Sequence, residues 1–251
     1  MSMQNKRQVI PGIFTTLNLL CGFISVTKTS EGAIEQAAWL IVFATIFDML
    51  DGQFARLTKS SSDFGIEFDS LADVVSFGVA PSFLLYSIVF KDMGFIGVLL
   101  SFSPLVAGTF RLARFNINVS GFEKSNFSGI PITMAALCIA SFIIFNYNFW
   151  HTIQLERLVI PLILLLCLIM VSNVEYYTLP KLTFRLGAKH SSLIIVMLIL
   201  LTIVIFFPHE ALFPSLMIYV LWGIIRHTLN IIRTLNKQVK SQIQIPRKEK
   251  K

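Results

Sequence analysis

Eight apolar runs separated by short polar breaks organise the chain: Ile10 to Val26, Ala37 to Phe47, Val74 to Phe90, Met93 to Phe110, Ile130 to Phe149, Leu158 to Val171, Leu193 to Phe207 and Ala211 to Ile225. Runs of this length with no polar face predict helices surrounded by other apolar matter. A bilayer core about 30 Å thick requires roughly 20 residues of helix, and several runs reach that length only together with their polar flanks. Two such flanks, Asp48 to Arg56 and Asp69 to Asp73, therefore fall at helix ends near the lipid headgroups. The pattern predicts an all-α fold, a polytopic membrane helical bundle of about eight transmembrane helices. No soluble domain and no internal repeat interrupts it. Residues 1–235 read as one transmembrane domain and residues 236–251 as a basic tail.

Composition agrees with lipid as the solvent. The 251 residues are 55% hydrophobic and 14% charged, with 23 Phe and a mean hydropathy of +0.72, whereas soluble domains are about one quarter charged. Cys21, Cys138 and Cys167 all lie inside apolar runs and read as small packing residues. Gly22, Ala37, Ala38, Ala44, Gly78, Ala80, Ala107, Gly108, Ala135 and Ala136 supply the small side chains that let helices approach closely in a membrane. Lys6 and Arg7 before the first run resemble the start of a signal peptide. Asn18 interrupts that run and no small-residue cleavage pattern follows, so the first run is expected to stay as a span.

Charge fixes the expected orientation. With eight spans and a cytoplasmic N-terminus, eighteen of the 21 Lys and Arg residues fall on the inner side, leaving Lys28, Lys91 and Arg157 outside. That asymmetry places both termini and all four of Asp48, Asp51, Asp69 and Asp73 on the cytoplasmic side of the membrane. The tail, with Lys237, Lys240, Arg247, Lys248, Lys250 and Lys251, reads as a solvated topology determinant that also attracts anionic headgroups.

The candidate chemistry lies at the end of the second span and the start of the third. Positions 48, 51, 52, 55 and 56 share one helix face, as do 65, 69 and 73. Two helices joined by a short loop thus present two carboxylates each. An aspartate at mid-membrane costs about 2.5 to 3.5 kcal/mol, less near the interface, and four converging carboxylates also repel one another. Cations must compensate, and these hard oxygen donors suit Mg²⁺, Mn²⁺ or Ca²⁺, whereas no His or Cys nearby suggests zinc. Gly52 leaves room for a ligand to approach the backbone, Ala55 keeps the groove open one turn later, and Arg56 offers a planar donor suited to phosphate. Together they indicate a phosphate-bearing substrate, a nucleotide or diphosphate. Any one of these aspartates alone would be a helix cap or a solvated charge; Asp63, Glu67 and Asp92 are read that way.

Asp48-x2-Asp51-Gly52-x2-Ala55-Arg56-x8-Gly65-x3-Asp69-x3-Asp73 resembles the signature of the CDP-alcohol phosphatidyltransferases, with every fixed position filled. The resemblance implies a six-helix core, commonly dimeric, that transfers a phosphatidyl group from a CDP-linked donor to an alcohol and releases CMP. Asp69 to Pro81, Arg111 to Asn116 and Phe127 to Pro131 look like the phosphatidylserine synthase branch, as does the first span from Ile10 to Gly22. Gly12 departs from that branch, where an Asn commonly follows the Pro. By this resemblance Asp48, Asp51 and Asp69 are metal ligands for one or two Mg²⁺ or Mn²⁺ ions, and Asp73 is a ligand or the general base. Gly52, Ala55, Arg56 and Gly65 line the CDP site, and Arg111, Arg114 and Asn116 contact donor phosphate or the serine carboxylate. CDP-diacylglycerol, L-serine and CMP are the implied partners, with a homodimer as the assembly and the inner membrane as the location.

Two other readings set different expectations. The same transfer to glycerol 3-phosphate or inositol phosphate would use the same aspartates and change only the acceptor. A cation-coupled transporter would scatter ionisable residues through the middle of several spans, whereas these cluster at one end of two.

Overall fold

The computed structural model describes residues 3–58, 62–120, 129–154, 156–172, 202–204 and 206–244. Among them there are helices and no strands. Helix α1 (Met3–Ser30) stops at Gly32, whose positive φ of 81° is a left-handed exit open to glycine at little cost. Helix α2 (Ile34–Thr58) returns alongside α1. Ser62 opens α3 (Asp63–Asp73) by accepting a hydrogen bond from the Gly65 amide at 3.1 Å, an N-cap that satisfies one of the donors a helix start leaves unpaired.

The third rod is irregular beyond Asp73. A π-helical segment (Val74–Val79) leads into α4 (Ala80–Leu85), followed by a second π segment (Tyr86–Phe90) and a 3₁₀ turn (Lys91–Met93). Pro81 explains part of this: with no amide hydrogen, and a ring that crowds the carbonyl four residues back, it sits most easily where the helix has widened. The chain reverses at Gly94 and α5 (Gly94–Ser120) runs back antiparallel, so that Leu105 meets Gly78 and Asn116 meets Ser70. Helix α6 (Ile132–Trp150), α7 (Glu156–Val171) and α8 (Pro208–Gln244) complete the described elements.

Seven of the eight expected spans fall on these helices. The eighth, Leu193 to Phe207, lies for the most part outside the described residues, as do Lys181, Arg185 and Lys189. Helix α8 continues past position 236, where the basic tail was expected to begin. Helix α6 is the pivot of the bundle: Ala135, Ala136, Cys138, Ile139, Phe142, Ile143 and Ile144 are buried on all sides, and α2, α5, α7, α8 and the first π segment pack around it. All ten small residues expected at helix contacts are buried. Phe23, Phe43, Phe95, Phe110, Leu168 and Trp222 instead face outwards, the reverse of a soluble protein and the arrangement that lipid rewards.

One close approach sets the geometry of the site. A Cβ on Gly22 would stand 2.4 Å from the Ser76 hydroxyl and 2.6 Å from the Ser76 Cα, so only glycine lets α1 touch the first π segment. The Ser76 hydroxyl spans that contact, donating to the Asn18 carbonyl at 2.8 Å.

Candidate active site

The four aspartates meet at one end of the bundle, where Asp48 near the end of α2 comes close to Asp69 and Asp73 in the second half of α3. Oxygens of Asp48, Asp69 and Asp73 all lie within 4.8 Å of one another. Asp73 is 7% exposed and Asp51 6%, while Asp48 and Asp69 are half-buried. Asp51 stands beside the triad, with its carboxylate taken by the Thr15 hydroxyl, which donates to Oδ2. The Asn18 side-chain amide donates to Oδ1 of Asp73 at 3.1 Å. Helix α1 therefore forms a third wall of the site.

Gly52 lies on the open side. A Cβ there would meet nothing nearer than the Arg56 guanidinium at 3.8 Å, so backbone and groove are accessible as the one-face pattern of 48, 51, 52, 55 and 56 requires. Phe14 stacks on Phe54 at 5.0 Å and fixes α1 against α2 beside that groove. Gly65 occupies the first turn of α3, its amide already donated to Ser62.

Arg111, Arg114 and Asn116 reach the same end on α5 but differ in what they touch. Arg111 is half-buried, within electrostatic reach of Asp73 and Arg114, and its Nε is buried without a hydrogen-bond partner. Arg114 donates to the carbonyls of Val171 at 3.1 Å and Ser172 at 3.5 Å, closing the C-terminus of α7, where free carbonyls favour a cation. Asn116 donates to the Ser70 hydroxyl at 2.9 Å and ties α5 to α3 one residue after Asp69. Asp63, Glu67 and Asp92 are exposed, as expected of solvated or helix-start acids.

The fit to a divalent cation can be judged from the donor set. Three carboxylates converge, neither ion pair formed among the described residues involves them, and Oδ1 of Asp69 is buried with no partner. A buried carboxylate oxygen without a donor is costly, and like charges at this separation repel. A hard cation held by oxygen removes both penalties, so the residues fit one.

Sequence reasoning missed the contribution of α1. Thr15 and Asn18 are polar residues three apart in a mostly apolar run, which puts them on one helix face; that spacing was the available signal. A separate cavity of about 710 Å³ opens at the opposite end of the bundle among Ser30, Tyr86, Lys91, Tyr147 and Glu156, far from the aspartates.

The family model for CDP-alcohol phosphatidyltransferases matches residues 8–171. The chain belongs to this family. As a CDP-alcohol phosphatidyltransferase with several long apolar helices, it is an integral membrane protein. It is 38% identical to the CDP-diacylglycerol–serine O-phosphatidyltransferase of Helicobacter pylori, over 94% of this chain and 98% of that one. The enzyme of the same name from Methanocaldococcus jannaschii is 35% identical over 85% of this chain and 91% of its own length. The archaetidylserine synthase of Methanothermobacter thermautotrophicus is 34% identical over 69% of this chain and 74% of its own. The match to the family model ends at the last residue of α7, so α8 lies outside it.

Proposed function

We propose that this chain is a phosphatidylserine synthase, transferring the phosphatidyl group of CDP-diacylglycerol to the hydroxyl of L-serine and releasing CMP. The observation that carries the reaction is the convergence of Asp48, Asp69 and Asp73 within 4.8 Å, beside Asp51 and the open groove at Gly52. The serine acceptor is supported by the near full-length similarity to enzymes named for it.

Asp48, Asp51 and Asp69 would hold one or two Mg²⁺ or Mn²⁺ ions, with Asp73 as a further ligand or as the general base. A divalent cation there supplies polarisation of the phosphoryl oxygens and neutralises charge on the departing CMP. The rest falls to the chain's own residues. The bare backbone at Gly52 and Ala55 admits the cytidine diphosphate portion, and Arg56 at the rim pairs with its phosphates. The acyl chains stay in lipid alongside the outward-facing apolar residues. Asp73 accepts the proton of the serine hydroxyl as the serine oxygen bonds to the diacylglycerol-linked phosphorus and the bond from that phosphorus to CMP breaks; such base assistance is worth about 10² to 10⁴-fold. Arg111, with an unpartnered Nε near Asp73, is the residue best suited to the serine carboxylate or a donor phosphate. Arg114 and Asn116 would support it by fixing α5 against α7 and α3. We place the site on the cytosolic face of the inner membrane and take the assembly to be a homodimer, following the charge asymmetry and the family resemblance.

The test is acceptor choice. Purified protein in nanodiscs containing CDP-diacylglycerol and Mn²⁺ is given labelled L-serine, glycerol 3-phosphate or inositol phosphate in parallel. Label from serine alone should enter lipid, one lipid per CMP released, and EDTA should stop it. Label from a phosphorylated alcohol instead of serine would overturn the acceptor, and cation flux without CMP release would overturn the transferase.

A further inference from the structure

Two of the four carboxylates are held by α1, and that helix is fixed to the site by backbone contact. Thr15 and Asn18 are buried, three residues apart on one face. Thr15 donates its hydroxyl to Oδ2 of Asp51 and Asn18 donates its amide to Oδ1 of Asp73. Each bond takes one oxygen of its carboxylate and leaves the other for a cation or an acceptor. Asn18 is itself immobilised: its backbone carbonyl accepts from Ser76 at 2.8 Å, three residues beyond Asp73 on the π segment. One turn further along α1, Gly22 presses on Ser76 with no room for a Cβ. The distance between Asn18 and Asp73 is thus set by two packed backbones.

We propose that Asn18 and Thr15 are positioning residues that orient Asp73 and Asp51 for cation and acceptor, an inference that rests on the phosphatidyltransferase reading of the aspartates. Groups that hydrogen-bond a metal-ligating carboxylate fix which lone pair faces the ion, and removing them typically costs about 10 to 100-fold in metal affinity or activity. Both residues act through the aspartates they bond.

Asn18→Leu removes the amide donor while keeping the branched outline of the side chain, and Thr15→Val removes the hydroxyl while keeping the branched shape. Mn²⁺ affinity is read by electron paramagnetic resonance on the purified full chain in nanodiscs, without substrate, alongside kcat and KM for CDP-diacylglycerol and serine. Both substitutions should weaken Mn²⁺ binding about tenfold and lower kcat about 10 to 100-fold, with donor KM within about threefold of the parent. Thr15→Ser, which restores the hydroxyl, should return both readouts to the parent values. Thr16→Val is the control: Thr16 is exposed and bonds only within its own helix, to the Gly12 carbonyl, so nothing should change. Parent-like Mn²⁺ affinity and kcat in Asn18→Leu at equal folded fraction would overturn the proposal. Should Asn18→Leu not fold, the Thr15 pair decides by the same criteria. A parent protein without CMP release would remove the transferase reading, while the Mn²⁺ affinities would still decide whether these residues orient the carboxylates.

Discussion

At Asp69 one carboxylate oxygen is buried without a protein partner, while oxygens of Asp48 and Asp73 approach within 4.8 Å. Repulsion between like charges at this range is on the order of 1 to 4 kcal/mol per pair for dielectrics between bulk water and a protein surface. Catalytic sites commonly carry such a cost in stability. Asp69→Asn should raise the thermal midpoint in EDTA, because one of three converging charges is gone. It should also shrink the stabilisation conferred by Mn²⁺, which in the parent reaches about 2.7 kcal/mol at a hundredfold excess over Kd. Differential scanning fluorimetry in detergent, with and without Mn²⁺, reads both. An unchanged Mn²⁺ shift would mean that Asp69 is not a ligand. All four aspartates could be grouped from spacing alone, but their unequal standing could not. Asp51 held by Thr15 and Asp73 held by Asn18 depend on partners 36 and 55 residues away.

Among the elements, α1 and the π segment after Asp73 carry the most information. Periodicity and apolar run length predicted helices here, but the widening at Val74–Val79 and the contact at Gly22 arise from how the rods cross. A Cβ at Gly22 meets backbone as well as side chain at Ser76, so Gly22→Ala must part the helices rather than rotate a side chain. Overpacking of this kind costs about 1 to 3 kcal/mol. Since the same contact sets Asn18 against Asp73, Gly22→Ala should lose activity beyond its loss of stability when the two are measured in one preparation. Activity scaling only with folded fraction would separate the contact from the site. The antiparallel return of α5 is a second case. Arg114, read in sequence as a phosphate or carboxylate ligand, also closes the end of α7, bonding a carbonyl 57 residues later that no local pattern announces.

For the whole molecule, charge asymmetry between the loops predicts an orientation with the aspartate end facing the cytosol. In a variant with Cys21, Cys138 and Cys167 replaced by Ala, a cysteine at the exposed Asp92 should react with a membrane-impermeant maleimide in intact cells. A cysteine at the exposed Asp63, close to the aspartate end, should react only after permeabilisation. The opposite pattern would turn the bundle over and place the site outside. The sequence by itself determined the solvent, the helical class, the end of the bundle where the acids gather and the chemistry they suit. Those follow from local quantities: run length against bilayer thickness, charge asymmetry between loops, and the 3.6-residue period that puts 48, 51, 52, 55 and 56 on one face. Only the tertiary structure decided that α1 is the third wall of the site, that Asp48, Asp69 and Asp73 form the triad, and that Arg111 keeps an unpartnered donor near Asp73 while Arg114 bonds to the end of α7 and Asn116 to Ser70. The physical reason is that a hydrogen bond between helices depends on crossing geometry, and that geometry is set by where small residues such as Gly22 let two backbones meet.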